Sequence, residues 1–378
     1  MLSPFIVNDS PVHLHRFPLA QVNRSLQAWD AADEYIINHL KDSGTLERPL
    51  NIVIFNDSFG ALTLNLTEHT LQLVNDSYIS QQGIKYNLAD NNLDHSKVSL
   101  LSSIDDISQP VDLVLLKIPK TNSLLEFQLQ QIQQIASKET QVIAAARAKD
   151  IHTSTLKLFA KHLGETTTSL AVKKARLVFS KVDNAKKTAP IADKVWPLPG
   201  FDMHISNQAN VFSRDSIDIG GAFLLQHLPT LKAGDQVADL GCGNGILGLA
   251  LVAQNEGIEM CFFDESHMAI SSAKQNVMNN LPEQLSNCRF VVGDCLEGCP
   301  ENSLDLVVCN PPFHQQQAVT DHIAWQMFKE CYKTLKKGGE LRIIGNRQLG
   351  YHIKLMRLFN NCQTLASNKK FVILSAKK

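Results

Sequence analysis

Gln236-Val-Ala-Asp-Leu-Gly-Cys-Gly-Asn-Gly245 is a short apolar run that ends in an acid and breaks into alternating glycines. An eight-residue apolar stretch, Ile246 to Ala253, follows it. Strand, glycine turn and helix in that order put a close-fitting backbone loop at the carboxyl end of a first strand, where open α/β sheets bind ligands. Glycines serve there because they accept left-handed angles and let a ligand approach the backbone. Downstream, Met260-Cys-Phe-Phe-Asp264 reads as a second strand ending in an acid, and Val291-Val-Gly-Asp-Cys295 closes a third. Leu304-Asp-Leu-Val-Val-Cys-Asn-Pro-Pro-Phe313 carries a fourth strand into a rigid loop. Strands alternating with helical stretches predict an α/β fold on a mostly parallel sheet.

The same order of landmarks occurs earlier in the chain. Leu50-Asn-Ile-Val-Ile-Phe leads into Asn56-Asp-Ser-Phe-Gly60, and Leu71-Gln-Leu-Val-Asn-Asp76 faces the strand ending at Asp264. Val111-Asp-Leu-Val-Leu-Leu-Lys-Ile-Pro-Lys120 faces the fourth strand, and Ala144–Arg147 and Lys157–Lys161 parallel Ile344–Arg347 and Lys354–Phe359. The offset drifts from about 185 to about 200 residues, as loop insertions in a duplicated unit would cause. The first half lacks the glycine loop and the Asn-Pro-Pro-Phe, so it is expected to keep a scaffold without the chemistry. Ahead of it, Asn23 to Lys41 reads as an amphipathic helix, with Leu26, Trp29, Ala32, Ile36 and Leu40 on one face.

With 378 residues, at roughly 150 per domain, two domains are expected. Pro and Gly punctuation between Ala185 and Pro199 places the division there, giving 1–190 and 191–378. Hydrophobic residues make up 44% and charged ones 19%, which excludes a disordered or collagen-like chain. Lys plus Arg number 36 against 37 Asp plus Glu, so an anionic partner would be met by a local patch. No signal-peptide pattern and no membrane-length apolar run is read, and a cytoplasmic protein is expected. All eight cysteines, Cys242 to Cys362, fall in the second half. Several sit within apolar runs and none has the tight pairing of zinc ligands, so buried thiols and no metal are expected.

Two cofactors compete for the glycine loop. Gly243-x-Gly245-x-x-Gly248 with Asp264 about 20 residues on fits a dinucleotide fingerprint. S-adenosylmethionine fits better, because it gives work to three acids. The loop Gly241, Cys242, Gly243, Asn244 and Gly245 would wrap the amino-acid part, with Asp239 near its ammonium, Asp264 on the ribose hydroxyls and Asp294 on the adenine amine. An acid just ahead of the loop would be misplaced beside a pyrophosphate.

Asn310-Pro-Pro-Phe313 suits a planar amine as methyl acceptor. The lone pair of such an amine is delocalised, and hydrogen-bond acceptors on its two protons help it pyramidalise. The Asn310 side-chain carbonyl and the Pro311 carbonyl would be those acceptors. Pro311 and Pro312 fix the backbone and offer no competing N–H, and Phe313 offers a face for stacking.

With these motifs in order, residues 200–378 resemble the class I S-adenosylmethionine-dependent N-methyltransferases, and the whole chain resembles the bacterial rRNA guanine-N2 methyltransferases. The resemblance implies two tandem Rossmann-like methyltransferase domains, a degenerate N-terminal one for RNA recognition or scaffolding and a catalytic C-terminal one. Leu26–Glu34, Val211–Asp215 and Asp218-Ile-Gly220 favour the branch that modifies one guanine of 23S rRNA, free or in an assembly intermediate. The branch acting on 16S rRNA shares the two-domain plan. By the same resemblance Asp239, Gly241, Gly243, Asp264 and Asp294 contact cofactor, Asn310 to Phe313 the guanine, and Phe212 to Gly220 close over the cofactor.

Adenine or protein glutamine methylation is an alternative within methyl transfer. A non-catalytic RNA-binding assembly protein and a nicotinamide dehydrogenase are the alternatives outside it. A monomer is expected, since one chain already holds two similar halves. Two basic clusters are candidates for RNA phosphates: Lys173, Lys174, Arg176, Lys181, Lys186 and Lys187, and, after Glu340, Arg342, Arg347, Lys354, Arg357, Lys369, Lys370, Lys377 and Lys378. Lys117 and Lys120 stand where the second half has its Asn-Pro-Pro-Phe, a dead pocket expected to serve RNA or folding.

Overall fold

The structure is a computed structural model that describes residues 5, 11–19, 26–186, 189–312 and 317–378, the side chains of 317–321 excepted. Phe313, His314 and Lys187 lie outside the described residues, as does the start of the helix expected from Asn23. The chain divides into two compact units, Met1–Ala192 and Asp193–Lys378.

The first unit runs α1 (Ala31–Asp42), β1 (Asn51–Phe55), β2 (Thr70–Val74), α2 (Tyr78–Asp90), β3 (Val98–Leu101), β4 (Leu113–Lys117), α3 (Asn122–Ile135), β5 (Gln141–Arg147), α4 (Thr153–His162), β6 (Thr166–Thr168) and β7 (Ala175–Ser180). Its strands form one sheet in the order β3-β2-β1-β4-β5-β7-β6, parallel except for β7, which runs antiparallel to β5 and β6. The second unit opens with a small hairpin, β8 (Lys194–Pro197) and β9 (His204–Asn207), and the short α5 (Ile219–Leu225). Then come β10 (Gln236–Leu240), α6 (Ile246–Gln254), β11 (Glu259–Asp264), α7 (His267–Asn280), β12 (Cys288–Val292) and β13 (Leu304–Cys309). It ends with α8 (Gln317–Thr334), β14 (Leu335–Asn346), α9 (Tyr351–Phe359), β15 (Gln363–Ser367) and β16 (Phe371–Lys377). Its sheet order, β12-β11-β10-β13-β14-β16-β15, repeats the first strand for strand.

The inner strands are largely apolar because helices cover both faces of a parallel sheet. Val237, Ala238 and Leu240 of β10 are all buried, divided between two cores on opposite faces. Chain order reverses at β10, with β11 on one side and β13 on the other, so a crevice opens at their carboxyl ends.

The strand registers correct two of the echoes. Ile52 of β1 pairs with Leu71 and Leu113, as Val237 of β10 pairs with Met260 and Leu306. Counting along the strands, Ile54 takes the place of Asp239, Lys117 that of Asn310, and Asn75, not Asp76, that of Asp264. Ala144 likewise matches Ile343, one residue earlier than the linear reading, because Leu116 pairs with Ala144 as Cys309 pairs with Ile343. Side chains repeat as well. Asn276 accepts from the Ser206 N–H and donates to the carbonyls of Ser206 and Asn244. Asn87 does the same with His15 and Phe59. Generic α/β packing does not require such a clamp twice, whereas a duplicated unit would leave it.

Helix α1 begins at Ala31, later than the apolar spacing suggests. Asp30 accepts from the amides of Ala32 and Asp33, and the Asp33 carboxylate accepts from the Asp30 N–H. This capping box ends the helix on its N-terminal side. Leu26 and Trp29 therefore belong to the approach, where Trp29 packs on Phe5.

Candidate active site

The loop Gly241–Gly245 is built from the sheet edge upward. The amides of Gly241 and Cys242 donate to the Phe263 carbonyl at 2.8 and 2.9 Å, tying the loop to the end of β11. Gly243 has φ +54°, and a Cβ there would meet nothing within 4 Å, so this glycine is set by conformation beside open space. Gly248 in α6 is different: a Cβ would lie 2.3 Å from Phe262 Cε1 and 2.6 Å from Met260 Cε. It brings α6 down onto β11.

The three acids do different jobs. Asp239 is fully buried beneath the loop, where its Oδ2 accepts from the Gly248 N–H at 2.9 Å and its Oδ1 has no hydrogen-bond partner. Burial pushes its carboxyl up to about 7, against the Gly248 bond and with help from the Asp264 charge. Asp264 accepts from the Gly243 N–H at 2.9 Å and the Ser266 N–H at 3.0 Å, joining the loop to the start of α7. Asp294 accepts from Gln326 Nε2 at 3.0 Å, and Gln326 also reaches Glu330. All three stand at the carboxyl edge of the sheet. Two loop side chains are held inside the fold. Asn244 donates to Asn207 Oδ1 at 2.8 Å, and Cys242 is buried, its thiol pushed well up by burial.

Asn310 follows the last residue of β13. Its Nδ2 donates to Asp218 Oδ2 at 3.3 Å, while its Oδ1 is buried without a partner. Asp218 is the N-cap of α5 and accepts from the Gly221 N–H at 2.9 Å with the same oxygen. Pro311 is buried and Pro312 exposed. The family resemblance places Asp218 in the segment Phe212–Gly220 over the cofactor and does not pair it with Asn310. Its signal is an acid placed one residue before a helix start, Asp218-Ile-Gly-Gly221.

The cysteines are free, and burial raises the thiols of Cys242, Cys261, Cys288, Cys309 and Cys331. Among the described residues no group of three His, Cys, Asp or Glu could hold a metal ion, and no helix is long and apolar enough to cross a membrane.

In the first unit the equivalent crevice is filled from within. Lys117 Nζ donates to Asp30 at 2.8 Å and also to Asp33. Burial pushes Asp33 up to about 6 despite that lysine. Asp57 accepts from Gly60 N–H, Thr63 N–H and Thr63 Oγ1. Lys117 thus serves the fold, while Lys120 is exposed.

Several members of the basic clusters have partners. Lys173 pairs with Glu34, Lys181 with Glu165, and Lys186 donates to the Ala160 carbonyl. Arg342 is held by Glu340 and the His227 carbonyl at 13% side-chain exposure, so it is structural. Arg357 lies over the Trp325 ring at 5.5 Å, with Lys329 at 6.0 Å.

The sheet order, the glycine loop at the reversal of strand order and the acids at the strand ends define a class I methyltransferase unit. Residues 202–375 match the methyltransferase small domain family, and residues 3–184 match the RLMG N-terminal domain family. Over the full length of both chains, this one is 52% identical to ribosomal RNA large subunit methyltransferase G of Colwellia psychrerythraea. It is also 52% identical to the Aeromonas hydrophila protein of the same name, covering 97% of this chain and 96% of that one. A T. thermophilus 16S rRNA N2 methyltransferase, solved with AdoMet and guanosine, shares the fold over 100% of this chain and 98% of its own, at TM-score 0.75 and 18% identity. The chain belongs to the ribosomal RNA large subunit methyltransferase G family.

Proposed function

We propose that this protein transfers a methyl group from S-adenosylmethionine to the exocyclic N2 of a guanine in 23S rRNA. The observation that carries the chemistry is the unpartnered, buried Oδ1 of Asn310, whose amide nitrogen is already occupied. A buried carbonyl without a donor is costly unless a ligand supplies one, and an aromatic amine does. The choice of large-subunit rRNA rests on the names of the relatives.

The residues fit the cofactor. Gly243 leaves room for its amino-acid part, the orphaned Oδ1 of Asp239 lies beneath that loop, and Asp264 and Asp294 stand at successive strand ends for the ribose and adenine. Bound there, S-adenosylmethionine supplies an electrophilic methyl on a sulfonium. The chain's part is positioning. Asn310 Oδ1 and the Pro311 carbonyl accept the two N2 protons, which favours a pyramidal nitrogen with its lone pair free. With the cofactor bound, the N2–methyl bond would form as the sulfur–methyl bond breaks, S-adenosylhomocysteine leaving and one N2 proton being released. No covalent enzyme intermediate is involved, so rate comes from orientation. Asn310, Pro311, Pro312 and Phe313 make up the guanine site in this proposal, and the active species is a monomer acting in the cytoplasm.

The test is transfer of labelled methyl to protein-free 23S and 16S rRNA, beside an Asn310→Ala control. Label in 23S rRNA as N2-methylguanine, lost in the control, is expected. Label confined to 16S rRNA, or label that survives in the control, would overturn the proposal.

A further inference from the structure

The geometry points to Asp218 as the positioning residue that decides which end of the Asn310 amide faces the reacting amine. This rests on the reading of Asn310 above. An asparagine amide has a donor end and an acceptor end of nearly the same shape, and rotation of the side chain exchanges them. Only the acceptor end helps a planar amine to attack. With its NH2 turned to the substrate, Asn310 would set donor against donor. A carboxylate accepts and does not donate, so the end of Asn310 that meets Asp218 Oδ2, at 3.3 Å, is the NH2. The carbonyl is left as the buried, unpartnered atom.

Asp218 is itself held. Its Oδ2 accepts from the Gly221 N–H at 2.9 Å, which fixes the carboxylate at the start of α5. Gly220 leaves the space it needs, for a Cβ there would lie 2.8 Å from Asp218 Oδ2. The first unit shows the same arrangement with different chemistry. Asp30 caps α1, the helix preceding its first strand, and takes a hydrogen bond from Lys117, the counterpart of Asn310. A helix-capping acid thus reaches the register-equivalent residue at the carboxyl end of the fourth sheet strand in both units. In the first, the pairing is an ion pair that fills the crevice. In the second, it orients an amide and leaves the acceptor open.

The test uses the full-length protein with 23S rRNA and three variants, read as kcat, KM for RNA and affinity for S-adenosylhomocysteine. Asp218→Ser keeps a capping oxygen for the Gly221 N–H but is too short to reach Asn310. It is expected to lower kcat about 10- to 100-fold, as for a misplaced reacting group, with S-adenosylhomocysteine affinity changed by far less. Asp218→Asn can accept both bonds through its carbonyl and is expected to recover most of that loss.

Gly220→Ala displaces the carboxylate tip without removing it and suits a helix better than glycine. A kcat loss with a melting temperature near wild type is expected, the helix gain offsetting the disturbed Gly221 cap, and this variant decides the matter if Asp218→Ser fails to fold. Wild-type kcat in both Asp218→Ser and Gly220→Ala would overturn the proposal. So would a kcat loss matched by an equal loss of S-adenosylhomocysteine affinity. If Asn310→Ala itself transfers methyl normally, the reading of Asn310 fails first and the two failures are told apart.

Discussion

At the scale of single residues, Asn310 and Asp239 separate chemistry from support. Asn310→Ala deletes one acceptor and leaves the backbone loop in place. Methyl transfer should fall about 10²–10³-fold, as when one preorganised partner of a transition state is lost, while the melting temperature stays near that of the wild type. Asp239 offers the opposite case. Its carboxyl is raised to about 7 in the fold, above the roughly 3.9 of an unfolded chain. The folded state therefore holds the proton more tightly. This contribution to stability is lost as pH rises from about 4 to about 7 and stays lost above. Asp239→Asn keeps an acceptor for Gly248 and does not titrate. Its advantage in melting temperature over wild type should grow between pH 5 and 7 and then level off. A constant difference across that range would show that Asp239 does not titrate there.

Asn310 and the acids were legible in the sequence because strand ends in this fold are fixed by the apolar runs before them. The Asp218 contact was not, since it joins residues 92 apart through the folded sheet. Nor was the hydrogen bond from Asn244 to Asn207, which needs β9 folded against the loop.

Among the elements, α6 shows how a helix and a binding loop are one object. Gly248 lets α6 rest on Phe262 and Met260, and α6 starts where the loop ends. Gly248→Ala should cost about 1–3 kcal/mol by overpacking and should also weaken S-adenosylhomocysteine binding, because any shift of α6 moves Gly245. Denaturant melts and calorimetric titration of one variant would report both. Helix α1 marks the limit of periodicity as a guide. Leu26 and Trp29 continue the spacing of Ala32, Ile36 and Leu40, so the apolar pattern runs on past the true start. What ends the helix is the reciprocal bonding of Asp30 and Asp33. That was written in the sequence as two acids three apart, but a solvated charge pair would look the same. The strand echoes slipped by one residue at Asp76 and Ile344 for a related reason. Linear matching cannot weigh where a strand stops, and register can.

On the scale of the whole molecule, one architecture appears twice, and the glycine loop and the Asn-Pro-Pro-Phe belong to the second copy. S-adenosylhomocysteine should therefore slow amide exchange around Gly241–Gly248, Asp264–Ala269 and Asp294, and leave Asn56–Thr63 and Lys117 unchanged. At a hundredfold excess over Kd the second unit should gain about 2.7 kcal/mol. Protection in the first unit would contradict its reading as a degenerate copy.

The ion pair of Lys117 with Asp30 and Asp33 has a consequence for how the two copies withstand mutation. One crevice is closed by residues the fold depends on, and the other is lined by residues the fold can spare. In a library of single substitutions scored for cellular abundance, positions 30, 33, 57 and 117 should be intolerant, while 310 accepts change and 218 accepts residues that keep a capping oxygen for Gly221. Scored for the modified nucleotide, 218 and 310 should become the intolerant ones. Selection on the first copy would then be felt as protein quantity, and on the second as the mark left on RNA.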